Sequence, residues 1–188
     1  GLVGAAVGRV GRADVRIEPL RGSLDIRLGK LGEGQYQAIV LAAAGLKRLG
    51  LAARIRHIFE PTEMLPAAGQ GALGIEIRSE RADVAAALAP LAHMPTWLSV
   101  AAERAVSRAM GGSCSMPLAA FSQWDAAGVL TIRGAWGEES GTAALARAEA
   151  GRVVTSLNDA EALGTHVADQ LCAAGARRMA PDAVAGVA

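Results

Sequence analysis

Residues 37–44 read Gln-Ala-Ile-Val-Leu-Ala-Ala-Ala, a continuous apolar run that ends at Gly45. A run of this length and composition is typical of a strand buried on both faces, as in a parallel sheet covered by helices. Upstream, residues 15–20 alternate as a short strand does, and Ser23 is placed to cap a helix over residues 23–30. Strand, helix and buried strand form a βαβ unit, so the pattern predicts the α/β class for this half of the chain.

The second half of the chain has different periodicities. Thr96 is placed to cap a helix that ends at Gly111, and a last helix begins near Asn158 or Asp159 and stops at Gly175. Between these helices, three short runs have strand character: residues 117–123, 129–135 and 142–149. The pattern predicts a small α+β domain built on an antiparallel meander.

The stretch that joins the two halves is rich in proline and glycine. We expect a hinge or crossing segment over residues 61–71, followed by an alternating run over residues 75–78 that is typical of a strand. Gly69, Gly71 and Gly74 also satisfy the spacing G-x-G-x-x-G, but a dinucleotide site requires this spacing between a strand and a helix. Here the spacing precedes a run with strand character, so the sequence favours a hinge.

Composition narrows the class of protein. The chain has 188 residues, 52% of them hydrophobic, which is enough to bury a core, and no apolar run reaches the roughly 18 to 20 residues of a membrane span. Residues 1–56 carry ten Arg or Lys against four Asp or Glu, and such a basic half favours anionic ligands. With one Tyr and two Phe the sequence offers no aromatic platform for nucleic acid, so a small polycarboxylate or phosphate is the predicted ligand.

The two cysteines, Cys114 and Cys172, lack metal-ligand spacing and cannot form a disulfide framework, so we expect a reducing cytoplasm and no metal site. Cys114 lies in the stretch Gly-Gly-Ser-Cys-Ser-Met-Pro of residues 111–117. The glycines allow the backbone to turn at positive φ and leave room beside the thiol for a bulky group. The residues alone leave two interpretations open, a reactive thiol and a small buried apolar side chain.

Five stretches of the sequence form an ordered set: residues 21–28 (Arg-Gly-Ser-Leu-Asp-Ile-Arg-Leu), residues 38–50, residues 65–76 (Leu-Pro-Ala-Ala-Gly-Gln-Gly-Ala-Leu-Gly-Ile-Glu), residues 102–105 (Ala-Glu-Arg-Ala) and residues 111–117. In order and in spacing they resemble consecutive signatures of the porphobilinogen deaminase family. The resemblance covers roughly residues 15–120, and the final helix resembles the family's ending.

The resemblance implies a transferase of tetrapyrrole synthesis, which joins four porphobilinogen units into hydroxymethylbilane with loss of ammonia. Growth in that family starts on a dipyrromethane primer held by a thioether. Cys114 matches the cysteine that carries the primer, and its implied role is a covalent anchor rather than a turnover nucleophile. Arg21, Arg27 and Arg54 match arginines that contact carboxylates of cofactor or substrate, and Gln70 lies at a hinge where it contacts the ligand.

The resemblance also implies how the chain is organised. Residues 1–68 would be part of a second, periplasmic-binding-protein-like α/β domain, and residues 69–92 would cross back to a first domain. Residues 93–188 would be the small C-terminal α+β domain, with a three-stranded antiparallel sheet and helices, to which the cofactor is attached. The first domain and its catalytic aspartate are absent from this sequence, so the chain is interpreted as a fragment, the C-terminal two-thirds, with no assigned catalytic residue.

Two rival hypotheses remain, a non-catalytic anion-binding module and a degenerate paralogue. As partners, the deaminase interpretation implies porphobilinogen, no nucleic acid, no membrane, and a monomer at full length in the cytoplasm.

Overall fold

The computed structural model describes residues 15–112, 116–137 and 144–179. The first part of the chain is helical with long connections. Its helices are α1 (Leu24–Gly32), α2 (Ala43–Arg48) and α3 (Ala82–Leu88), with 3-10 turns at Ala52–Arg54 and Ala89–Leu91. The helix predicted over residues 23–30 is confirmed as α1, and the side chain of Ser23 caps it by accepting a hydrogen bond from the Ile26 N–H at 3.5 Å.

The second part is an antiparallel sheet packed against two long helices. Its elements are α4 (Met94–Met110), β1 (Leu118–Trp124), β2 (Val129–Trp136), β3 (Ala146–Val153) and α5 (Leu157–Ala173). The strands lie in the order β1-β2-β3, with Ala120 opposite Gly134 and Ile132 opposite Ala150. This confirms the predicted meander, although β3 begins at Ala146, later than the predicted range.

The core lies where α4 and α5 cover one face of this sheet. Among the described residues, all buried apolar side chains except Leu46 and Leu65 fall between Leu98 and Ala176. The helices approach so closely that a Cβ added to Gly164 would lie 2.2 Å from the carbonyl oxygen of Ala102. A single well-packed unit over residues 94–179 therefore contains nearly all of the burial that stabilises the described chain.

The connection between the halves packs against this unit at two places. Leu65 forms a small apolar cluster with Ala119 and Ala135 on the other face of the sheet. Farther along, the N–H of Gly69 donates to the carboxylate of Glu103 on α4. The segment of residues 65–69 is thereby fixed to β1, β2 and α4.

The predicted βαβ unit is wrong for the structure as described. Residues 15–20, 37–44 and 75–78 form no strand, and the last two residues of the 37–44 run instead begin α2. A buried strand requires hydrogen-bonded neighbours and apolar cover on both faces, whereas Val40 is 47% exposed and Ile75 is 61% exposed. The sheet formed by the described residues is the antiparallel one, β1 to β3.

The cap predicted at Thr96 is also wrong, because α4 begins two residues earlier, with His93 at its N-cap position. Pro95 lies in the first turn, where its missing N–H and fixed φ suit a helix start. The Oγ1 of Thr96 lies 2.8 Å from the Nδ1 of His93 instead.

The predicted final helix is confirmed as α5, which begins within a reciprocal capping box between Ser156 and Asp159. Beyond its end, Gly175 adopts a φ of 101°, as expected for a glycine that stops a helix.

Among the described residues, no single helix has the length and apolar character to cross a membrane; only Ala82–Leu91 taken together with Met94–Met110, bent by 106°, meets those criteria.

Candidate functional site

Arg21 and Arg27 flank the start of α1. Gly22, between them in sequence, has a φ of 122°, a conformation that favours glycine. The Nε of Arg27 donates to the carbonyl oxygen of Gly22 at 2.7 Å, which holds the guanidinium beside the helix N-terminus. Arg21 is exposed and precedes α1 by three residues, and Arg27 is half-buried in the first turns of the helix.

The arginines predicted to bind carboxylates differ from many others in their partners. Among the described residues, Arg21, Arg27 and Arg54 form no ion pair with a carboxylate. Other arginines each lie within ion-pair distance of an Asp or Glu: Arg16, Arg78, Arg81, Arg108, Arg133 and Arg178. The three predicted residues therefore have no described carboxylate partner that an external anion would have to displace. Within the described ranges they share this property with six other arginines: Arg48, Arg56, Arg104, Arg147, Arg152 and Arg177.

Gln70 lies in a tight turn against α2. Gly69 and Gly71 on either side have φ values of 71° and 85°, and the Gln70 N–H donates to the Ala67 carbonyl at 3.0 Å. The Nη2 of Arg48, the last residue of α2, donates to the Gly71 carbonyl at 2.6 Å. The turn is thus held from both sides, and the exposed side chain of Gln70 projects from it.

Arg54 ends the 3-10 turn Ala52–Arg54 and is exposed. Within the described part of the chain, no hydrogen bond joins Arg21 or Arg27 to Arg54 or Gln70. Arg21 and Arg27 both lie close to the start of α1 in the sequence, whereas Gln70 lies against α2, next to the Gly71 carbonyl that Arg48 holds. We did not predict this contact of Arg48 from the sequence.

Cys114 lies outside the described residues, but both flanks of its loop are described. Gly111 ends α4 with a φ of 127°, and a Cβ there would lie 2.6 Å from the carbonyl oxygen of Met179. The N–H of Met179 donates to the Met110 carbonyl at 2.9 Å. On the other flank Met116 is buried in the core. The loop is thus supported at both ends by the packed C-terminal unit.

Glu103 is the functional candidate that sequence reasoning missed. Its side chain is only 6% exposed and accepts hydrogen bonds from Gly69 and Ser122. The signal in the sequence was its position on the buried face of α4, three residues before Val106 and seven before Met110.

The described ranges contain no group of three His, Cys, Asp or Glu side chains that could hold a metal ion. The spacing G-x-G-x-x-G at residues 69–74 also lacks the helix N-terminus that binds a pyrophosphate, since the next helix begins only at Ala82.

Comparison with known proteins gives two family matches. Residues 5–86 match the model of porphobilinogen deaminase, dipyromethane cofactor binding domain, and residues 97–173 match that of porphobilinogen deaminase, C-terminal domain. The two matches follow each other along the chain, and together they contain Arg21, Arg27, Arg54, Gln70 and Cys114.

Individual relatives agree with the family matches. The chain is 65% identical over 169 residues to a porphobilinogen deaminase of Albidiferax ferrireducens, which covers 90% of this chain and 53% of that protein. It is 59% identical over 160 residues to one of Ralstonia nicotianae, covering 85% of this chain and 48% of the relative. A Burkholderia mallei porphobilinogen deaminase is 55% identical over 177 residues, covering 94% and 53%.

The chain thus spans about half the length of the curated relatives that it matches. Within that half, the family matches cover both the helical part and the packed C-terminal unit. With identities of 55% to 65% to proteins of one name, the chain belongs to the porphobilinogen deaminase family.

Proposed function

We propose that this chain supplies the cofactor-holding half of a hydroxymethylbilane synthase. The reaction joins four porphobilinogen molecules head to tail, and with one water it releases hydroxymethylbilane and four molecules of ammonia. The observation that carries the proposal is the 65% identity over 169 residues to a porphobilinogen deaminase, which extends through the stretches that hold the candidate site residues.

The described arginines fit a ligand that is rich in carboxylates. Each pyrrole ring of dipyrromethane or substrate carries an acetate and a propionate, and a guanidinium binds a carboxylate through two parallel hydrogen bonds. Arg21, Arg27 and Arg54 present guanidinium groups that have no acidic partner within the described ranges. In the proposed complex these residues neutralise and orient the carboxylates, and Gln70 contacts the ligand from its turn.

Dipyrromethane, when bound, supplies the pyrrole carbon to which the first substrate is joined. The proposed anchor is a thioether to Cys114, so the thiol retains the growing chain and takes no part in each turnover. The fixed ends of the loop, at Gly111 and Met116, support this role because they would limit the movement of an attached group.

The proposed organisation follows the family resemblance. Residues 1–68 belong to an α/β domain of periplasmic-binding-protein-like fold, residues 69–92 cross to another domain, and residues 93–188 form the cofactor-attachment domain. The aspartate expected to stabilise positive charge on pyrrole nitrogens belongs to that other domain. The complete enzyme would act as a monomer in the cytoplasm.

The proposal can be tested in a chimera, in which this chain replaces the matching residues of the Albidiferax ferrireducens protein. Incubation with porphobilinogen should give hydroxymethylbilane, and denaturing intact mass should show two pyrrole units added to Cys114. Cys114→Ser should abolish both results, whereas Cys172→Ser, the matched change at the other cysteine, should abolish neither.

A chimera that binds porphobilinogen but carries no primer and releases no ammonia would contradict the proposal. That result would favour the anion-binding module or the degenerate paralogue. Retention of the primer in Cys114→Ser would contradict the assignment of the anchor alone.

A further inference from the structure

Glu103 is a buried carboxylate at the junction of three parts of the chain. Its Oε2 accepts a hydrogen bond from the Gly69 N–H at 2.7 Å. Its Oε1 accepts one from the Ser122 N–H at 2.8 Å and lies 2.7 Å from the Ser122 hydroxyl, which also lies 3.3 Å from the Ser99 carbonyl. One side chain on α4 thereby holds both the hinge turn and strand β1.

The contact with Gly69 fixes the turn that carries Gln70. Gly69 immediately precedes Gln70 and has a φ of 71°, a conformation that favours glycine. The neighbouring Ala68 packs against the main core, and a Cβ on Gly69 would lie 3.8 Å from Val100. The turn is therefore seated on α4, with Glu103 as its polar contact.

The geometry is specific for a carboxylate. Two oxygens face N–H donors that belong to different elements, one from the turn and one from β1. A glutamine side chain has nearly the same shape but carries one oxygen and one NH₂ group, so one of the two N–H donors would face another donor. An unpaired buried donor is costly, and the exposed turn is the easier partner to release.

We propose that Glu103 is a positioning residue, which sets the place of Gln70 relative to α4. Glu103 and Met110, the last residue of α4, lie about 10 Å apart along the helix axis. A turn held by Glu103 is therefore held at a fixed place relative to the end of α4, which precedes Cys114 in the sequence. The ligand contact of Gln70 rests on the proposed function, whereas the hydrogen bond between Gly69 and Glu103 is observed in the structure.

The hydrogen bond between Gly69 and Glu103 is tested by amide hydrogen exchange on the 188-residue chain. In Glu103→Gln, protection of the Gly69 amide should fall at least tenfold, while amides in the centres of α4 and α5 keep theirs. Glu161→Gln is the matched control, because Glu161 makes an exposed ion pair with Arg108. Ser122→Ala removes only the hydroxyl and should leave Gly69 protected. Equal Gly69 protection in Glu103→Gln and the unaltered chain, or its loss in Ser122→Ala as well, would overturn the proposal.

The functional consequence is tested by kinetics in the chimera. Glu103→Gln and Gln70→Ala should each lower kcat/KM about tenfold, and the double variant should be no worse than about threefold below either. The primer should remain attached in all three, and Glu161→Gln should match the unaltered chimera. A double variant with a kcat/KM about a hundredfold below that of the unaltered chimera would mean that the two residues act independently. That result would overturn the positioning role. If the unaltered chimera is inactive, the proposed function fails. Hydrogen exchange alone then tests whether Glu103 holds the Gly69 turn.

Discussion

The guanidinium of Arg27 contacts its own backbone along one edge, and its other edge has no carboxylate partner among the described residues. Its Nε donates to Gly22, so the charge is already oriented before any carboxylate arrives. Lysine would keep the charge but could not hold the Gly22 carbonyl and form a two-point contact together. We therefore expect Arg27→Lys in the chimera to raise KM for porphobilinogen about tenfold, the effect of losing about 1.4 kcal/mol of binding.

The matched control for Arg27→Lys is Arg16→Lys, because Arg16 is engaged with Glu18 at 2.8 Å on the surface. Steady-state kinetics with porphobilinogen should show no change there. An equal rise of KM in both variants would mean that general positive charge, rather than the held guanidinium of Arg27, attracts the substrate.

The sequence could suggest site residues only within stretches that match a known motif. Arg21, Arg27 and Gln70 were identified through stretches that resemble a family, and the structure then gave each a local setting. The helical position of Glu103 indicated burial, but the donors that it meets come from Gly69 and Ser122, far away in sequence. No local pattern specifies these hydrogen bonds, because they depend on how the turn at Gly69 and strand β1 pack on α4.

At the scale of elements, the α4–α5 contact depends on the absence of a side chain at Gly164. A methyl group there would meet the Ala102 carbonyl and, at 2.7 Å, the Cβ of Ala105. Gly164→Ala should therefore lower the free energy of unfolding by about 1–3 kcal/mol through overpacking, measured by urea denaturation.

Gly29→Ala is the matched control, because Gly29 lies within α1 and a Cβ there would meet nothing within 4 Å. The same substitution should stabilise α1 by about 0.5–1 kcal/mol, since alanine loses less backbone entropy on forming a helix. Destabilisation by both changes would mean that the close approach of α4 is not what distinguishes Gly164 from Gly29.

The capping box of α5 should make stability depend on pH. The Ser156 hydroxyl, followed by the N–H and hydroxyl of Thr155, holds the pKa of the Asp159 carboxyl below its usual value. A carboxyl with a lowered pKa in the folded state stabilises the fold above its unfolded pKa of about 4, and this contribution is lost as pH falls through the folded pKa. The urea midpoint should therefore fall below pH 4, and Asp159→Asn should lower it at pH 7 and flatten its dependence on acid.

Tryptophan fluorescence during urea titration at a series of pH values measures this effect. Glu76→Gln, in an exposed segment, serves as the control and should leave the acid dependence of the midpoint as it is. An Asp159→Asn protein with the full acid dependence of the unaltered chain would contradict the assignment to Asp159.

The elements that sequence predicted well are those whose signals are local. The Ser23 cap, the meander and the start of α5 need only neighbouring residues to form. The run at residues 37–44 is different, since a doubly covered strand exists only with other strands beside it and helices above and below. Hydrophobic character alone therefore predicted the wrong element there.

For the whole molecule, burial is concentrated in one half. Residues 94–179 hold the α4, α5 and sheet core, whereas the described residues before them contribute only Leu46 of α2 and Leu65 of the connecting segment to the buried apolar residues. We expect residues 94–188, produced alone, to unfold cooperatively, and residues 1–92 alone to show no cooperative transition.

The separated C-terminal unit should melt about 10 °C or more below the complete chain, because it loses the packing of Leu65 and the hydrogen bond from Gly69. Calorimetry on the two pieces and the complete chain measures this difference. A non-cooperative transition in residues 94–188 would mean that the core requires the first half of the chain to form.

The hydrogen bond from Met179 to the end of α4 affects the order in which the chain folds during synthesis. Met110 and Gly111 leave the ribosome well before Met179, whose N–H donates to the Met110 carbonyl and whose own carbonyl lies against Gly111, because translation proceeds from the N-terminus at about 5–20 residues per second. The end of α4 can take its final form only after α5 and residue 179 have emerged. An attachment at Cys114 is therefore expected to follow translation, on a C-terminal unit that has already folded.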